Sequence, residues 1–239
     1  MQLIKDVYRE KGFLEPLLLW QELRERGYKR SFGGMKRFIR KHFQNGKQKK
    51  LSRKKPKLYH GGTFPGEELQ LDVKFVPADC NKSDVKLYQF TAIDEYSRWC
   101  YREIYNEHST HSAYLFLLNL IKKAPFPIKL IQTDNGTEWT NALPVTKATH
   151  KTLFEEALAE FGIEYKRIRI ATPRHNGRVE RQHGLDQKRF YNKNKFYSLA
   201  DAQKKVSSYN NYSNSRIKIC LKYKSPIQVL AEFSTVTSL

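Results

Sequence analysis

Cysteine is scarce in this chain. Its three copies, Cys80, Cys100 and Cys220, stand far apart with no CxxC pairing, which excludes a disulfide framework and a thiolate zinc site and fits a reducing compartment. Long apolar runs are missing too. None approaches the roughly 18 residues needed to cross a bilayer, and the opening segment MQLIKDVYREKGF lacks the basic-then-apolar layout of a secretory signal. The reading is a soluble protein of the cytoplasm with no membrane partner. The third shortage is acidic charge, with 24 Asp and Glu against 44 Lys and Arg and a formal charge of +20. Such an excess argues against neutral metabolites as partners and for a polyanion. There is still material for a folded core, since 39% of the 239 residues are hydrophobic and 13% aromatic. That length suits one large domain, or one domain with a small appendage.

The charge is uneven. Met1 to His60 holds 18 basic and 5 acidic residues, and between Glu25 and Glu67 there are 14 Lys or Arg with no carboxylate at all. The run KQKKLSRKKPK (Lys47 to Lys57) reads as a solvated linker that can still bind phosphates in a salt-dependent way. Before it, LLLWQELRER (Leu17 to Arg26) has apolar residues at helical spacing. Gly27 breaks that pattern, and Ser31 offers an N-cap for a second helix. There Phe32, Met35, Phe38 and Ile39 form an apolar stripe, with Lys36, Arg37, Arg40 and Lys41 opposite. This reads as a helix-turn-helix whose second helix faces DNA, the alternative being a plain amphipathic pair.

The remainder alternates strand and helix patterns. Leu69 to Val76, Lys86 to Ile93 and Arg98 to Tyr105 read as an antiparallel meander of half-buried strands. Ser112 to Lys122 reads as a helix, Pro127 to Gln132 as a buried strand and Lys151 to Phe161 as a helix. A short strand follows over Ile163 to Arg167, then helices over Asn176 to about Asn192 and Leu199 to Tyr209. The order points to an α/β fold, a mixed sheet with helices on both faces.

Three carboxylates occupy unusual places. Asp72 sits mid-strand between Leu71 and Val73, where an acid is disfavoured unless something compensates its burial. Asp134 ends a buried strand in IQTDNGTEW, a place where sheet enzymes put functional groups, although Asp-Asn-Gly is also an ordinary turn. Glu180 follows a Pro/Asn/Gly loop in TPRHNGRVERQHG. Brought together, such acids repel by about 4 kcal/mol per pair at about 4 Å and an effective dielectric near 20. Oxygen ligands of this kind suit Mg²⁺ or Mn²⁺. Two ions, with Asp72 shared between them and Asp134 and Glu180 each completing one shell, would imply phosphoryl transfer.

LQLDVKFV, IQTDNGTEW and TPRHNGRVERQHG together, in this order, resemble the catalytic core of retroviral-type integrases and bacterial insertion-sequence transposases. The resemblance covers about Glu67 to Lys195. It implies a ribonuclease H-like fold, the triad Asp72, Asp134 and Glu180, and DNA end cleavage followed by strand transfer. YSNSRIKICLKYKSPIQVL (Tyr212 to Leu230) resembles the family's closing segment, with Ile217 and Lys218 where the family usually has Pro-His. Between Asp134 and Glu180 lie 45 residues, more than in the compact retroviral core, so 141–149 reads as an inserted loop. No paired His and Cys ligands mark a retroviral zinc module at the N-terminus, and a single helix-turn-helix is shorter than many transposases carry, as in a shortened copy. The expected organisation is a helix-turn-helix region over 1–46, a basic linker over 47–66, the integrase core over 67–198 and a C-terminal helical segment over 199–239.

Other polar residues divide between DNA contact and local structure. Asn135 and Gly136 allow a strand to approach the backbone, Asn176 and Gly177, in the loop before Glu180, are candidate DNA contacts, and Arg181 and Lys188 are candidate phosphate contacts. Asp94 reads as a turn residue with Ser97 rather than a metal ligand. His175 and His183 flank Glu180 and read as DNA contacts or as structural histidines. The expected activity is that of a DNA transposase or integrase, acting as a homo-oligomer on double-stranded DNA, element ends and target, in the nucleoid. The alternatives are a non-catalytic DNA-binding protein or degenerate copy, and ribonuclease H-like hydrolysis.

Overall fold

A computed structural model describes residues 2–11, 15–43, 61–141, 150–168 and 176–237. The chain divides into two compact units, Met1–Leu58 and Tyr59–Leu239. The basic run Lys47 to Lys57, residues 142–149 of the loop expected over 141–149, and Pro173 and His175 lie outside the described residues.

The first unit contains α1 (Gln2–Lys11), α2 (Pro16–Glu25) and α3 (Phe32–Phe43). Pro16 opens α2, where its missing N–H costs nothing. Gly27, at φ +88, closes it: the Tyr28 N–H donates to the Leu23 carbonyl at 2.7 Å and the Gly27 N–H to Arg24 at 3.0 Å. These two bonds are the left-handed glycine cap that satisfies the last helix carbonyls. Ser31 Oγ accepts from the Gly34 N–H at 3.2 Å and starts α3. Phe32, Met35, Phe38 and Ile39 are all buried, as their spacing predicts, and Ile4, Val7, Leu19 and Leu23 complete a small core. Lys36, Arg37, Arg40 and Lys41 are exposed.

The second unit is a five-stranded mixed sheet in the order β3-β2-β1-β4-β5. Its strands are β1 (Leu69–Phe75), β2 (Tyr88–Asp94), β3 (Cys100–Tyr105), β4 (Leu130–Thr133) and β5 (Glu164–Arg167). The meander β1-β2-β3 is antiparallel, while β4 and β5 run parallel to β1. Helices α4 (Thr110–Lys123) and α5 (Leu153–Glu160) supply the parallel crossovers. Ser109 caps α4, and Thr152 with Glu155 forms a reciprocal capping box on α5. Their apolar faces meet Leu69, Leu71, Phe90 and Ile131 around Trp139, Phe116 and Phe154, all fully buried. Each such side chain contributes about 1.5–3 kcal/mol on removal from water.

The opposite face carries α6 (Gly177–Arg189) and α7 (Leu199–Ser215), and α8 (Pro226–Thr237) follows, its Leu230 packing against the first core. Helix α6 stops before Asn192 because Phe190 and Tyr191 turn inward with Phe196 into a second apolar cluster against Val206 and Tyr209. Helix α7 runs six residues beyond the expected Tyr209, because Asn210 and Asn214 continue to bond β3: their side-chain amides donate to the carbonyls of Arg102 and Cys100, each at 2.9 Å. The fourth strand begins at Leu130 rather than Pro127, since proline has no N–H for the ladder. Asp94 has the expected turn role, accepting from the Ser97 N–H and hydroxyl, each at 2.6 Å, and from the Gly66 N–H at 2.9 Å.

Candidate active site

Strand β1 sorts its side chains by alternation. Leu69, Leu71 and Val73 enter the core, and Gln70, Asp72 and Lys74 face α6. This polar row is covered rather than solvated, because each member meets a successive stretch of α6. Gln70 Oε1 accepts from the N–H groups of Arg178 at 3.2 Å and Val179 at 3.3 Å, which satisfies two of the donors that a helix start leaves open. Asp72 Oδ2 lies 3.4 Å from Nδ1 of His183. Lys74 Nζ donates to Gln187 at 2.7 Å. The N-terminus of α6 is fastened further by Asn176, whose amide donates to the Leu71 carbonyl at 3.3 Å, and by the ion pair of Arg178 with the buried Glu95.

Glu180 therefore sits in the first turn of a helix bound to the strand that carries Asp72. Asp134 arrives by a different route. The parallel register pairs Gln70 with Gln132, and Asp134, one residue past the end of β4, acts on Asp72 as a neighbouring charge. Asp134 Oδ1 accepts from the Gly136 N–H at 3.0 Å, so the Asp-Asn-Gly segment is both a turn and a site element. Asn135 donates to the Ile168 carbonyl at 3.0 Å. Gly136 has no room for a side chain, because a Cβ there would collide with the carboxylate of Glu138, itself buried and paired with His108 Nε2 at 2.9 Å.

Three other acids thus lie near Asp72. Burial first, and then the charges of Asp134, Glu138 and Glu180, push the Asp72 carboxyl up to about 7. The ring beside it gives no relief: burial pushes His183 down to about 4, and its Nε2 lies 3.0 Å from Thr91 Oγ1, so it stands there neutral. Among the described residues, no three His, Cys, Asp or Glu side chains stand at the spacing of metal ligands. Asp134 and Glu180 act on Asp72 as neighbouring charges.

The other expected contacts are dispersed. Arg181 and Lys188 are exposed on α6, Gly177 opens that helix, and Asn176 is turned inward and occupied by β1. Sequence reasoning missed Glu138 and His108, and left open the structural role that His183 has. A cleft of about 540 Å³, lined by Tyr101, Glu103, Asn119, Gln203 and Asn210 among others, opens elsewhere, against β3, α4 and α7, and contains none of the site acids.

Comparison with known families agrees with this sheet order. Two models described as integrase core domain match residues 63–173 and 161–226. Residues 63–226 belong to the integrase core family. A putative integrase, ORF3 of Spiroplasma virus SpV1-C74, is 27% identical over 179 residues, 70% of this chain. The chain spans about half of that relative's length, 48%. Among solved structures, a chain of the simian T-cell lymphotropic virus intasome in complex with PP2A regulatory subunit B56 gamma superposes with a TM-score of 0.56 at 16% identity, over 95% of this chain and 74% of that one. The catalytic core domain of BIV integrase superposes with a TM-score of 0.50 at 16% identity, over 73% of this chain and 99% of that one. These likenesses establish the integrase core fold, a mixed five-stranded sheet flanked by helices.

The integrase core here is held by a buried polar network. Six residues past Glu180, Asp186 is fully buried and accepts from Arg102, Gln89, Gln182 and Tyr209. Burial would raise its carboxyl, but the Arg102 guanidinium and these bonds hold it below the usual range. The network joins α6 to β2, β3 and α7, so the helix bearing Glu180 is fixed at both ends. No described helix is long and apolar enough to cross a membrane.

Proposed function

We propose that this chain is a DNA transposase or integrase that cuts DNA ends and joins them to a target, using divalent ions held by Asp72, Asp134 and Glu180. The observation that carries this reading is the gathering of Asp134, Glu138 and Glu180 as charges around the partly buried strand position of Asp72. A carboxyl pushed up to about 7 by burial and by three acids, beside a neutral imidazole, is a poor feature for a fold and a good one for a cation site. The donors are hard carboxylate oxygens, which suit Mg²⁺ or Mn²⁺. When bound, a pair of such ions lowers the pKa of a water or 3′-hydroxyl and stabilises the leaving oxygen of an in-line displacement.

The protein's own groups prepare that chemistry. Gln70, Asn176 and Arg178 hold the first turn of α6, which carries the exposed Glu180 within electrostatic reach of Asp72. His183 confines Asp72 on one side without adding charge. Gly136 lets the Asp134 turn lie against Glu138. Arg181 and Lys188 would contact phosphates along the same helix, and Asn135 and Gly136 would line the approach of a strand. Residues 1–46 would add a helix-turn-helix presenting Lys36, Arg37, Arg40 and Lys41 to DNA, with 47–66 as basic linker, 67–198 as core and 199–239 as C-terminal helical segment. Two ends must be cut and joined together, which calls for a homo-oligomer on nucleoid DNA in the cytoplasm.

The test uses the full chain with labelled duplexes carrying candidate terminal repeats and Mg²⁺ or Mn²⁺. Nicking and strand transfer are expected, with Asp72→Asn and Glu180→Gln losing both while retaining DNA binding. Cleavage that survives Asp72→Asn overturns the triad. Binding with no cleavage under either metal assigns the chain to non-catalytic DNA-binding proteins, and preferential cutting of an RNA–DNA hybrid assigns it to ribonuclease H-like hydrolysis.

A further inference from the structure

Phe75 ends β1 and is 62% exposed, the exception on a strand face whose other members, Leu69, Leu71 and Val73, pack into the core. Its ring has aromatic company. The centroid of Tyr88, its register partner on β2, is 5.1 Å away, and that of His108 is 6.1 Å away. Tyr88 and His108 are themselves stacked, with centroids 5.4 Å apart and planes 17° from parallel. His108 is held from below by the edge of Phe90 and from the side by its 2.9 Å contact with Glu138. Three rings therefore form a wall with a fixed orientation.

The wall adjoins the acids. Through Glu138 it reaches the Gly136 turn and Asp134. Phe75 projects from the opposite face of β1 to Asp72, so the link between the wall and the acids runs through His108 and the buried Glu138, whose charge acts on Asp72. Around the rings the surface is polar and charged, with Lys86, Asn106 and Glu107 exposed. A continuous apolar protein partner would leave those groups without water. The occupant that matches is planar, apolar on its face and joined to an anion.

We infer that Phe75, Tyr88 and His108 form a stacking platform for an unpaired nucleobase beside the reacting phosphodiester. Inside a duplex each base face is covered by its neighbours, so only a frayed, flipped or single-stranded base can present its π-face to a side chain. Stacking of this kind tolerates any base. The platform holds the strand end by shape, leaving sequence to other contacts. This inference rests on the reading that the adjacent acids act on DNA.

The experiment uses the full chain in EDTA with a forked duplex whose unpaired arm carries 5-iododeoxyuridine, irradiated and mapped by mass spectrometry. The expected result is a crosslink at Phe75 or Tyr88. Phe75→Ala should weaken binding of the forked DNA about 5- to 100-fold while leaving a blunt duplex unaffected, and Phe75→Trp should restore it. Because Phe75 is exposed, the alanine variant should keep the parent's melting temperature. Crosslinks confined to other residues, an equal loss on both DNAs, or unchanged affinity for the fork would overturn the platform. Catalysis fails separately. Asp72→Asn should lose cleavage and keep the crosslink, and a parent chain that crosslinks at Phe75 but never cleaves refutes the enzymatic reading alone.

Discussion

Arg102 and Asp186 meet as a bidentate ion pair with no exposure on either side chain, Nε to Oδ2 at 2.7 Å and Nη2 to Oδ1 at 3.0 Å. Arg102 also donates to Asn210 at 3.2 Å and Ser213 at 3.3 Å. The pair joins the middle of β3 to the helix that begins with the candidate acid Glu180. A buried pair of this kind adds little net stability over an apolar replacement, yet losing one partner leaves a bare charge.

Arg102→Met or Asp186→Asn alone should therefore cost about 3–5 kcal/mol. The double replacement Arg102→Met with Asp186→Asn should cost less than the sum of the two single changes. Urea unfolding of the three variants measures the coupling, and additive losses would show that the pair acts as two independent groups.

The contact of Gly136 with Glu138 gives a second double-mutant test. Gly136→Ala forces the buried Glu138 carboxylate away from its seat and from His108, at a cost of about 1–3 kcal/mol. Adding Glu138→Ala removes the obstacle, so the pair should be less destabilised than Gly136→Ala with Glu138→Ala summed. Thermal melts of the four proteins decide it.

Lys218 links stability to pH. It is half-buried and donates to the Arg98 carbonyl at 2.9 Å, and burial, with repulsion from Arg102 and Arg189, pushes its ammonium down to about 8. The folded value lies below the usual 10.5 of the unfolded chain. The unfolded state thus binds the proton more tightly, and this residue weakens the fold fully below pH 8 and progressively less as pH rises towards 10.5. Relative to Lys218→Met, the parent should gain stability between pH 7.5 and pH 10. A stability difference that stays constant over that range would refute the shift.

The four exposed cations of α3 predict a salt signature. Replacing Lys36, Arg37, Arg40 and Lys41 by Gln should lower DNA affinity and flatten the dependence of log K on log salt by about 0.9 for each phosphate that is no longer neutralised. Filter binding from 50 to 300 mM salt measures the slope. An unchanged slope would remove α3 from the DNA interface.

Much of this site can be read from local rules. Asp72 stands out because an acid interrupts an apolar alternation, Asp134 because it ends a buried strand, and Glu180 because a helix begins after a Pro/Asn/Gly loop. Arg102 breaks the same rule as Asp72, a charge in mid-strand, and with Asp186 in a helix it could have been recognised as half of a pair. Glu138 and His108 carry no such mark, since both are ordinary residues of turns and helix approaches. His183 was visible as a residue near Glu180, but not as the neutral neighbour of Asp72.

The linear chain by itself determined its excess of cations, the helix stripes and the strand alternation, and marked three acids as candidates, because periodicity, caps and charge depend on residues a few positions apart. Only the folded sheet decided that β1's polar row is covered by α6, that a fourth acid joins the others, that burial keeps His183 neutral, and that Phe75 remains uncovered beside Tyr88 and His108. Those outcomes depend on register and on desolvation by distant segments, and neither is encoded at any single position.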